Sequence, residues 1–201
     1  MKEGYNRALV LWRKVLVRER TFVFEKLLPA HPKIGAKVEF DARLAQSTDI
    51  SKLTQKFGAT IKEVIRKGHL CFIAEVGGEI VHFKVVGFGE VYVSELKRKI
   101  RLDSNSAYIY FVYTVPSYRC LGLDSKVTTK VFDYLSEKGI EKVYILVRHN
   151  NFPELRVVQK VGYRKVGEIT FIQRLSYKKL TYEGVTEKDR DKIKEMFLFQ
   201  L

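Results

Sequence analysis

A strand, a turn with proline and glycine, and a helix follow one another at residues 108–124. The apolar run ends in Val-Pro-Ser-Tyr-Arg-Cys-Leu-Gly and leads directly into a helical pattern. The N–H groups in the first turn of a helix have no intrahelical partners, and the helix dipole adds partial positive charge there. With Arg119 beside it, such a turn is suited to bind a phosphate group. The simpler alternative is that Pro116 and Gly122 only connect a strand to a helix.

A second motif lies downstream at residues 151–163, with the sequence Asn-Phe-Pro-Glu-Leu-Arg-Val-Val-Gln-Lys-Val-Gly-Tyr. Together the two stretches resemble the acyl-CoA motifs of the GNAT superfamily of N-acetyltransferases. The first family motif is an apolar strand followed by Pro-x-x-Arg/Gln-Gly-x-Gly-x-Gly/Ala, which this chain matches at Pro116, Arg119 and Gly122. The second is Asn-x-x-Ala/Ser-x-x-Leu-Tyr-x-Lys-x-Gly-Phe, and the matching positions are Asn151, Val157, Lys160, Gly162 and Tyr163. The resemblance covers residues 37–175.

The resemblance implies acetyl-CoA as co-substrate and an amine acceptor that attacks the thioester directly, without a covalent enzyme intermediate. In the family, two strands separate after the first motif strand, and pantetheine adds to the exposed strand edge. A backbone N–H group there would hold the acetyl carbonyl as its oxygen becomes negative. The pyrophosphate would bind the loop N–H groups, and the second motif would supply one further contact. The residues that the resemblance assigns to the cofactor are Val112, Thr114, Arg119, Cys120, Gly122, Leu123, Asp124 and Asn151.

Two motif positions also have structural explanations. Asn151 is suited to be a helix N-cap, with Glu154 three residues later to close a capping box, and this role does not exclude cofactor contact. Gly162 is more typical of a helix C-terminus than of a ligand contact.

Four positions depart from the family pattern. Cys120 replaces the first glycine of the loop, where a side chain requires a negative φ or a chain that turns outward. Asp124 replaces a small residue; a carboxylate there would repel a pyrophosphate, although an acid in a first turn also complements the helix dipole. Val158 stands where many members carry the tyrosine that protonates the leaving thiolate. Phe111 stands where many members carry an acid that helps to deprotonate the amine.

The usual proton-transfer groups are therefore absent from their usual positions. Losing positioned acid–base catalysis typically costs about 10²–10⁴-fold in rate, while proximity and the N–H group at the acetyl oxygen would remain. The catalytic candidates are Tyr110, Tyr113 and His149, with water, Glu90 and Glu95 as further substitutes. The sequence does not discriminate among them.

Hydrophobic periodicity predicts the elements around these motifs. Strands are predicted at residues 21–28, 37–45, 69–76, 79–86, 107–115 and 142–147, with one or two more in residues 163–175, broken near Gly167. Helices are predicted at residues 5–17, 47–56, 60–66, 123–138, 151–160 and 186–199, while residues 91–96 fit a short strand or a short helix. Gly77-Gly78 suits a tight hairpin turn. A hairpin followed by strand–helix–strand–helix–strand predicts an α/β fold with a mixed central sheet and a parallel pair joined by a crossover helix.

The chain length and the lack of linkers or repeats predict a single GNAT-like domain over residues 1–201. Residues 37–175 would form its motif-bearing core. Residues 1–36 would be an N-terminal helix and strand extension, and residues 176–201 a C-terminal helix extension.

The formal net charge is +14, from 37 Lys and Arg residues against 23 Asp and Glu residues. This charge is not concentrated in one block, which favours a basic protein over a nucleic-acid binder. Cys71 and Cys120 form neither a metal-site spacing nor a disulfide framework, so we expect no metal and a reducing compartment. No run approaches the ~20 apolar residues of a membrane span, and the N-terminus lacks a signal-peptide pattern. We therefore expect a cytoplasmic protein.

Three hypotheses of function remain open. The first is an N-acetyltransferase acting on a small-molecule or protein amine, and the second is a degenerate GNAT domain that binds acyl-CoA without turnover. The third, a nucleic-acid- or tRNA-associated protein, ranks last because nothing resembles a nucleic-acid module. Residues 5–18 are compatible with a basic helix on an anionic membrane, but the pattern is more typical of a helix packed on its own domain. The sequence is compatible with a homodimer.

Overall fold

A mixed eight-stranded β-sheet forms the centre of the protein. The structure is a computed structural model, which describes residues 16–29, 34–58, 60–174 and 177–197. The strands of the sheet are β1 (Leu16–Leu27), β2 (Asp41–Leu44), β3 (Leu70–Val76), β4 (Glu79–Gly87), β7 (Ser106–Thr114), β8 (Lys142–Arg148), β9 (Arg164–Arg174) and β10 (Tyr177–Gly184). Their order across the sheet is β10-β9-β1-β8-β7-β4-β3-β2. The remaining pair, β5 (Glu90–Val93) and β6 (Arg98–Arg101), forms a separate two-stranded sheet.

Helices cover the sheet through three hydrophobic clusters. The helices are α1 (Ser47–Phe57), α2 (Thr60–Arg66), α3 (Leu123–Glu137), α4 (Phe152–Lys160) and α5 (Glu187–Phe197). Successive side chains of a strand point to opposite faces. Accordingly, Phe72 of β3 packs in the cluster with α3, whereas Cys71 and Ile73 pack in the cluster with α1 and α2. The third cluster joins α5 to β5, β6 and β9.

The α/β class and the mixed sheet agree with the sequence prediction. The helices at α1, α2, α3 and α4 begin and end within one residue of the predicted bounds. Gly77-Gly78 forms the predicted hairpin turn between β3 and β4, with φ angles of 58° and 82°. Both φ angles are positive, as the favoured two-residue hairpin turn requires.

Several predicted elements are corrected by the structure. Leu16 and Val17 were placed in the N-terminal helix but belong to β1, where they pair with β9; residues 5–15 of that helix lie outside the described residues. The predicted strand at residues 37–45 is limited to β2. The N–H of Lys37 instead donates to the carbonyl of Leu121 (2.8 Å), which ties this segment to the turn before α3.

The segment near the C-terminus also differs from the prediction. β9 continues through Gly167, and the expected break is a bulge: Val23 pairs with Gly167 and Phe24 with Lys165, so Val166 is the extra residue. The sequence analysis missed β10, because its exposed lysines and mostly polar side chains hide the apolar alternation of a strand. It also missed β6, which returns from β5 after a turn at Lys97.

β1, from the predicted N-terminal extension, lies in the middle of the sheet. It pairs antiparallel with β8 on one side and with β9 on the other. Its central residue Val23 is completely buried. The segment before the motif-bearing region is therefore part of the main sheet.

A crossover through α3 joins β7 to β8 in the predicted parallel pair. The pairing runs from Ser106↔Lys142 to Ile109↔Ile145 and then stops, although both strands continue. This divergence opens the cleft described below. Within the described residues, every helix is too short or too polar to cross a bilayer.

If β1 is an integral strand, truncating its centre should destabilise the fold. Val23→Ala removes two methyl groups from a fully buried site and should lower the free energy of unfolding by roughly 2 kcal/mol. Val185→Ala is the matched control, because Val185 is 61% exposed. Urea unfolding of both variants measures the difference, and equal stability would contradict the central placement of β1.

Candidate active site

The cleft begins where β7 and β8 diverge. β8 pairs with β1 along its whole length, but beyond Ile145 it no longer pairs with β7, whose second half pairs with β4 alone. β7 also bulges there, because Phe83 pairs with Tyr113 and Val85 with Tyr110, leaving two β7 residues opposite one β4 residue. The first of the two, Phe111, has a φ of +50°. The divergence leaves an unpaired strand edge, which can accept an extended ligand as an added strand.

The turn after β7 leads into α3 with its N-terminal N–H groups uncapped by any described side chain. Gly122 is the N-cap, and its φ of 84° lies in the left-handed region that favours glycine. A Cβ at this position would lie 3.1 Å from the carbonyl oxygen of Gly35. Glycine is therefore needed both for the turn and for the close approach of residues 34–36.

A side chain at position 120 is expected to need either a negative φ or a chain that turns outward, and Cys120 meets only the second condition. Its φ is +61°, so the residue is held in the left-handed region. Its side chain is exposed, and the thiol points away from the core. The cost of a non-glycine residue in this conformation is about 1–2 kcal/mol, which the rest of the turn must offset.

Two pockets occupy the cleft and meet at three residues. The smaller, of about 620 Å³, is lined by the turn, the start of α3 and one side of α4. The larger, of about 1030 Å³, extends towards α2, β5 and β6. Both are lined by Val112, Asn151 and Glu154, which we call the throat.

The structure brings together all the residues that the sequence assigned to the cofactor. The smaller pocket is lined by Val112, Thr114, Arg119, Cys120, Gly122, Leu123, Asp124 and Asn151. The Nε of Arg119 donates to the carbonyl of Thr114 (3.1 Å), so this side chain lies against the strand edge. The side chain of Asn151 accepts from the N–H of Glu154 (3.4 Å), which makes Asn151 the N-cap of α4 as well as a pocket residue.

The catalytic candidates lie in different places: some line the larger pocket, one lines the smaller pocket and one lines neither. Tyr110, Glu90 and Glu95 line the larger pocket. Tyr113 lines the smaller pocket and packs against Phe57, with ring centroids 4.8 Å apart. His149 lines neither pocket: its Nδ1 lies 3.2 Å from the carbonyl oxygen of Arg20, on the β1 side of β8.

The carboxylate of Asp124 is paired with a cation. It forms an ion pair with the ammonium of Lys84, whose side chain is only 1% exposed. Lys84 also donates to the hydroxyl of Thr128 (2.5 Å). Burial alone would raise the pKa of Asp124, but the charge of Lys84 and its hydrogen bond to Asp124 keep that pKa below its usual value. The ion pair therefore neutralises the carboxylate that the sequence analysis expected to repel a pyrophosphate.

A second carboxyl group adjoins this ion pair. Glu154 lies within hydrogen-bonding reach of Asp124, and burial together with that negative neighbour raises the pKa of Glu154 to about 7. Its Oε1 is shielded from solvent and has no hydrogen-bond partner among the described residues. Burial lowers the pKa of His82 to about 4, so this imidazole is neutral near pH 7. Its Nδ1 lies 2.8 Å from the hydroxyl of Thr114.

The sequence analysis missed this cluster of His82, Lys84, Asp124 and Glu154 as a unit. A lysine in the middle of an apolar strand was the available indication, because a buried ammonium needs an anionic partner. The partner on α3 is 40 residues away in the chain. Sequence spacing alone could not identify it.

The wall of the larger pocket contains a histidine–tyrosine pair. The Nδ1 of His69 lies 2.5 Å from the hydroxyl of Tyr110. Burial raises the pKa of Tyr110 and lowers that of His69, so both groups are neutral near pH 7. Gly87 makes room for the pair, since a Cβ there would lie 3.1 Å from the Tyr110 ring and 3.2 Å from the His69 ring.

The larger pocket is lined by four carboxyl groups and two lysines, Lys67 and Lys99. Its carboxylates come from α2, the β5–β6 sheet and the throat: Glu63, Glu90, Glu95 and Glu154. Glu90 pairs with Lys99 (3.4 Å) and Arg101 (3.2 Å). Aromatic rings complete the wall, namely those of Phe88, Tyr92, Tyr110 and Phe111.

A family model and a similar protein both indicate the same family. A model of the acetyltransferase (GNAT) family matches residues 38–163. An uncharacterised N-acetyltransferase of Chlorobaculum tepidum is 20% identical over 142 residues, which cover 67% of this chain and 80% of that protein.

Solved structures share the fold. A GCN5-related N-acetyltransferase from Sphaerobacter thermophilus superposes with a TM-score of 0.57 at 14% identity, covering 90% of this chain and 58% of that one. This chain thus spans less than two thirds of that protein. The aminoglycoside N-acetyltransferase AAC(6')-Iy, solved with a bisubstrate analogue containing CoA, has a TM-score of 0.51 at 18% identity and covers 64% of this chain and 92% of its own.

Removing Asp124 should leave the buried Lys84 without its counter-charge. Asp124→Ala is expected to lower the free energy of unfolding by about 3–5 kcal/mol. Adding Lys84→Met removes the orphaned charge and should recover much of that loss. Asp191→Ala, at an exposed position of α5, is the control. Urea unfolding measures all variants; a double variant no more stable than Asp124→Ala would contradict the ion-pair explanation.

The raised pKa of Glu154 should appear in the pH dependence of stability. A carboxyl whose pKa is higher in the folded than in the unfolded protein stabilises at low pH, and this contribution is lost as pH rises towards about 7. Wild type should therefore lose roughly 2 kcal/mol relative to Glu154→Gln between pH 5 and pH 7. Urea unfolding at both pH values tests this. A stability difference that stays constant would show that Glu154 titrates normally.

Proposed function

Because the chain belongs to the GNAT acetyltransferase family, we propose that it transfers the acetyl group of acetyl-CoA to a primary amine. The observation that carries the proposal is the meeting of two chemically different pockets at the point where β7 and β8 diverge. The smaller pocket presents N–H groups and basic side chains. The larger presents carboxylates and aromatic rings.

The smaller pocket has the chemistry that acetyl-CoA requires. The uncapped N–H groups at the start of α3 favour an anionic pyrophosphate, and the helix dipole adds to this effect. Arg119, Arg156 and Lys160 supply formal positive charge around the same pocket. The free edge of β7 leads from there to the throat. Among the proteins compared above, AAC(6')-Iy binds a CoA-containing analogue, which supports the same use of this pocket here.

The larger pocket has the chemistry of an amine site. Its four carboxyl groups outnumber its two lysines and so favour a protonated amine, and its aromatic walls favour both apolar groups and cations. The neutral Tyr110–His69 pair offers hydrogen bonds without repelling a positive charge. A volume of about 1030 Å³ leaves room for an acceptor larger than a simple alkylamine.

This arrangement supports direct transfer. Binding the thioester and the amine on either side of the throat makes the attack effectively unimolecular, which is the largest contribution that positioning alone can make. A backbone N–H at the β7 bulge would hold the acetyl oxygen as negative charge develops on it. Neither Val158, which is buried, nor Phe111 has an ionisable group, so neither side chain can transfer a proton.

Release of CoA from acetyl-CoA, measured across a panel of primary amines, tests the proposal. Activity with at least one amine, together with calorimetric binding of acetyl-CoA, is the expected result. A protein that binds acetyl-CoA without turnover on any amine would instead be the non-catalytic acyl-CoA binder.

Gly122→Ala provides a structural test of the cofactor site. The added Cβ meets the Gly35 carbonyl and strains the turn, so acetyl-CoA affinity should fall at least about tenfold. Gly139→Ala is the matched control: its φ is also positive, at 76°, but it lies beyond the opposite end of α3 and nothing is near its Cβ. Calorimetry should show that only the first variant weakens binding. Equal affinities would place the cofactor elsewhere.

A further inference from the structure

The throat contains a single ionisable side chain. Of its three residues, Val112 is apolar and Asn151 is an uncharged amide, so Glu154 alone can take up or release a proton. Glu154 lies in the first turn of α4, one helical turn before Val158 and on the same face of that helix. It is thus the carboxyl group that borders both the thioester pocket and the amine pocket.

The transfer requires a proton to move across this point. As the C–N bond forms and the C–S bond breaks, the sulfur leaves with the bonding electron pair. An amine bound as its ammonium first releases one proton to water. The nitrogen of the resulting neutral amine must then lose one more proton and the thiolate must gain one, so the transfer itself is balanced by moving a single proton from nitrogen to sulfur. A group between the two pockets could perform both steps without any net change in its own charge.

We propose that Glu154 is the catalytic residue that accepts this proton from the attacking nitrogen and delivers it to the sulfur of CoA. The inference rests on the proposed function and assigns the proton transfer within it. The free Oε1, which has no partner among the described residues, is the oxygen available for this exchange.

The surrounding charges suit this role. Asp124 on α3 holds negative charge beside Glu154, whereas Lys84 on β4 offsets part of it. His82 is neutral, and the buried hydroxyl of Tyr163 stays protonated because burial raises its pKa. The resulting pKa of Glu154, about 7, leaves both forms populated near neutrality. Such an acid can protonate a thiolate, whose thiol has a pKa of about 8.5, without an uphill step.

The other candidates lack this position. Tyr110 faces the amine pocket only, and Tyr113 faces the cofactor pocket only. His149 faces neither. Glu90 and Glu95 line the amine pocket but not the smaller pocket, and Glu90 is paired with Lys99 and Arg101.

The test compares wild type with Glu154→Gln, Glu154→Asp and the control Glu137→Gln, an exposed position at the far end of α3. Thermal melting first establishes that each variant folds. Calorimetry of acetyl-CoA binding at pH 7, in two buffers of different ionisation enthalpy, then counts the protons exchanged. Wild type and Glu137→Gln should give a buffer-dependent enthalpy, because the ligand alters the proton occupancy of Glu154. Glu154→Gln should lose it while keeping its affinity within about threefold.

Turnover provides the second readout, with n-butylamine as the probe amine. Glu154→Gln should release CoA about 10²-fold more slowly and lose the rise of the rate through pH 7, and Glu154→Asp should recover part of the rate. If Glu154→Gln binds acetyl-CoA with unchanged proton exchange and unchanged turnover, the inference is wrong and the proposed function stands. If wild type does not bind acetyl-CoA, the proposed function fails and this inference fails with it. If n-butylamine is not acetylated, the inference is tested by the proton exchange on acetyl-CoA binding. Its loss in Glu154→Gln supports the inference, and an unchanged exchange contradicts it.

Discussion

The divergence of two parallel strands is the constraint on which the rest of the site depends. β7 and β8 pair over only their first four residues, after which their facing edges are no longer joined. β8 stays paired with β1 on its other edge along its whole length, whereas β7 remains with β4 and bulges at Phe111. The cleft therefore arises where the pairing of these two central strands ends.

The buried charges beneath the cleft explain how the unusual loop is tolerated. Lys84 reaches from β4 to Asp124 in the first turn of α3 and so fixes the helix N-terminus against the sheet. A buried pair of this kind adds little net stability compared with apolar packing, but it is costly to break. Lys84 offsets the charge of Asp124 only in part, and Asp124 together with burial raises the pKa of Glu154 to about 7, so both forms of Glu154 are populated near neutrality. Asp124, which stands where the family pattern has a small residue, is thus compatible with the site and contributes to it.

Local pattern predicted the motif-bearing half of the fold well. Strand–turn–helix patterns gave β7, α3, β8 and α4 nearly to the residue, because their apolar periodicity and glycine or asparagine boundaries are local properties. The same local chemistry predicted a group of residues that the structure brings together in the smaller pocket. Two strands could not be predicted fully. β10 pairs with the adjacent β9 but has mostly polar side chains, and the central position of β1 is set by partners 115 to 158 residues away. The Lys84–Asp124–Glu154 cluster likewise joins three elements that no spacing rule connects. Glu154 could be recognised in the sequence only as a capping residue.

Amide chemical shifts measured by ¹⁵N NMR during titration with CoA test the central claim most directly. The account predicts that the largest changes fall on Gly122, Leu123 and Asp124 at the start of α3 and on Val112 and Thr114 along the free edge of β7. The amides of β10 and α5, at the other side of the sheet, should change little. Shifts concentrated away from the diverging strands, or no shifts at all, would contradict the assignment of this cleft as the acetyl-CoA site.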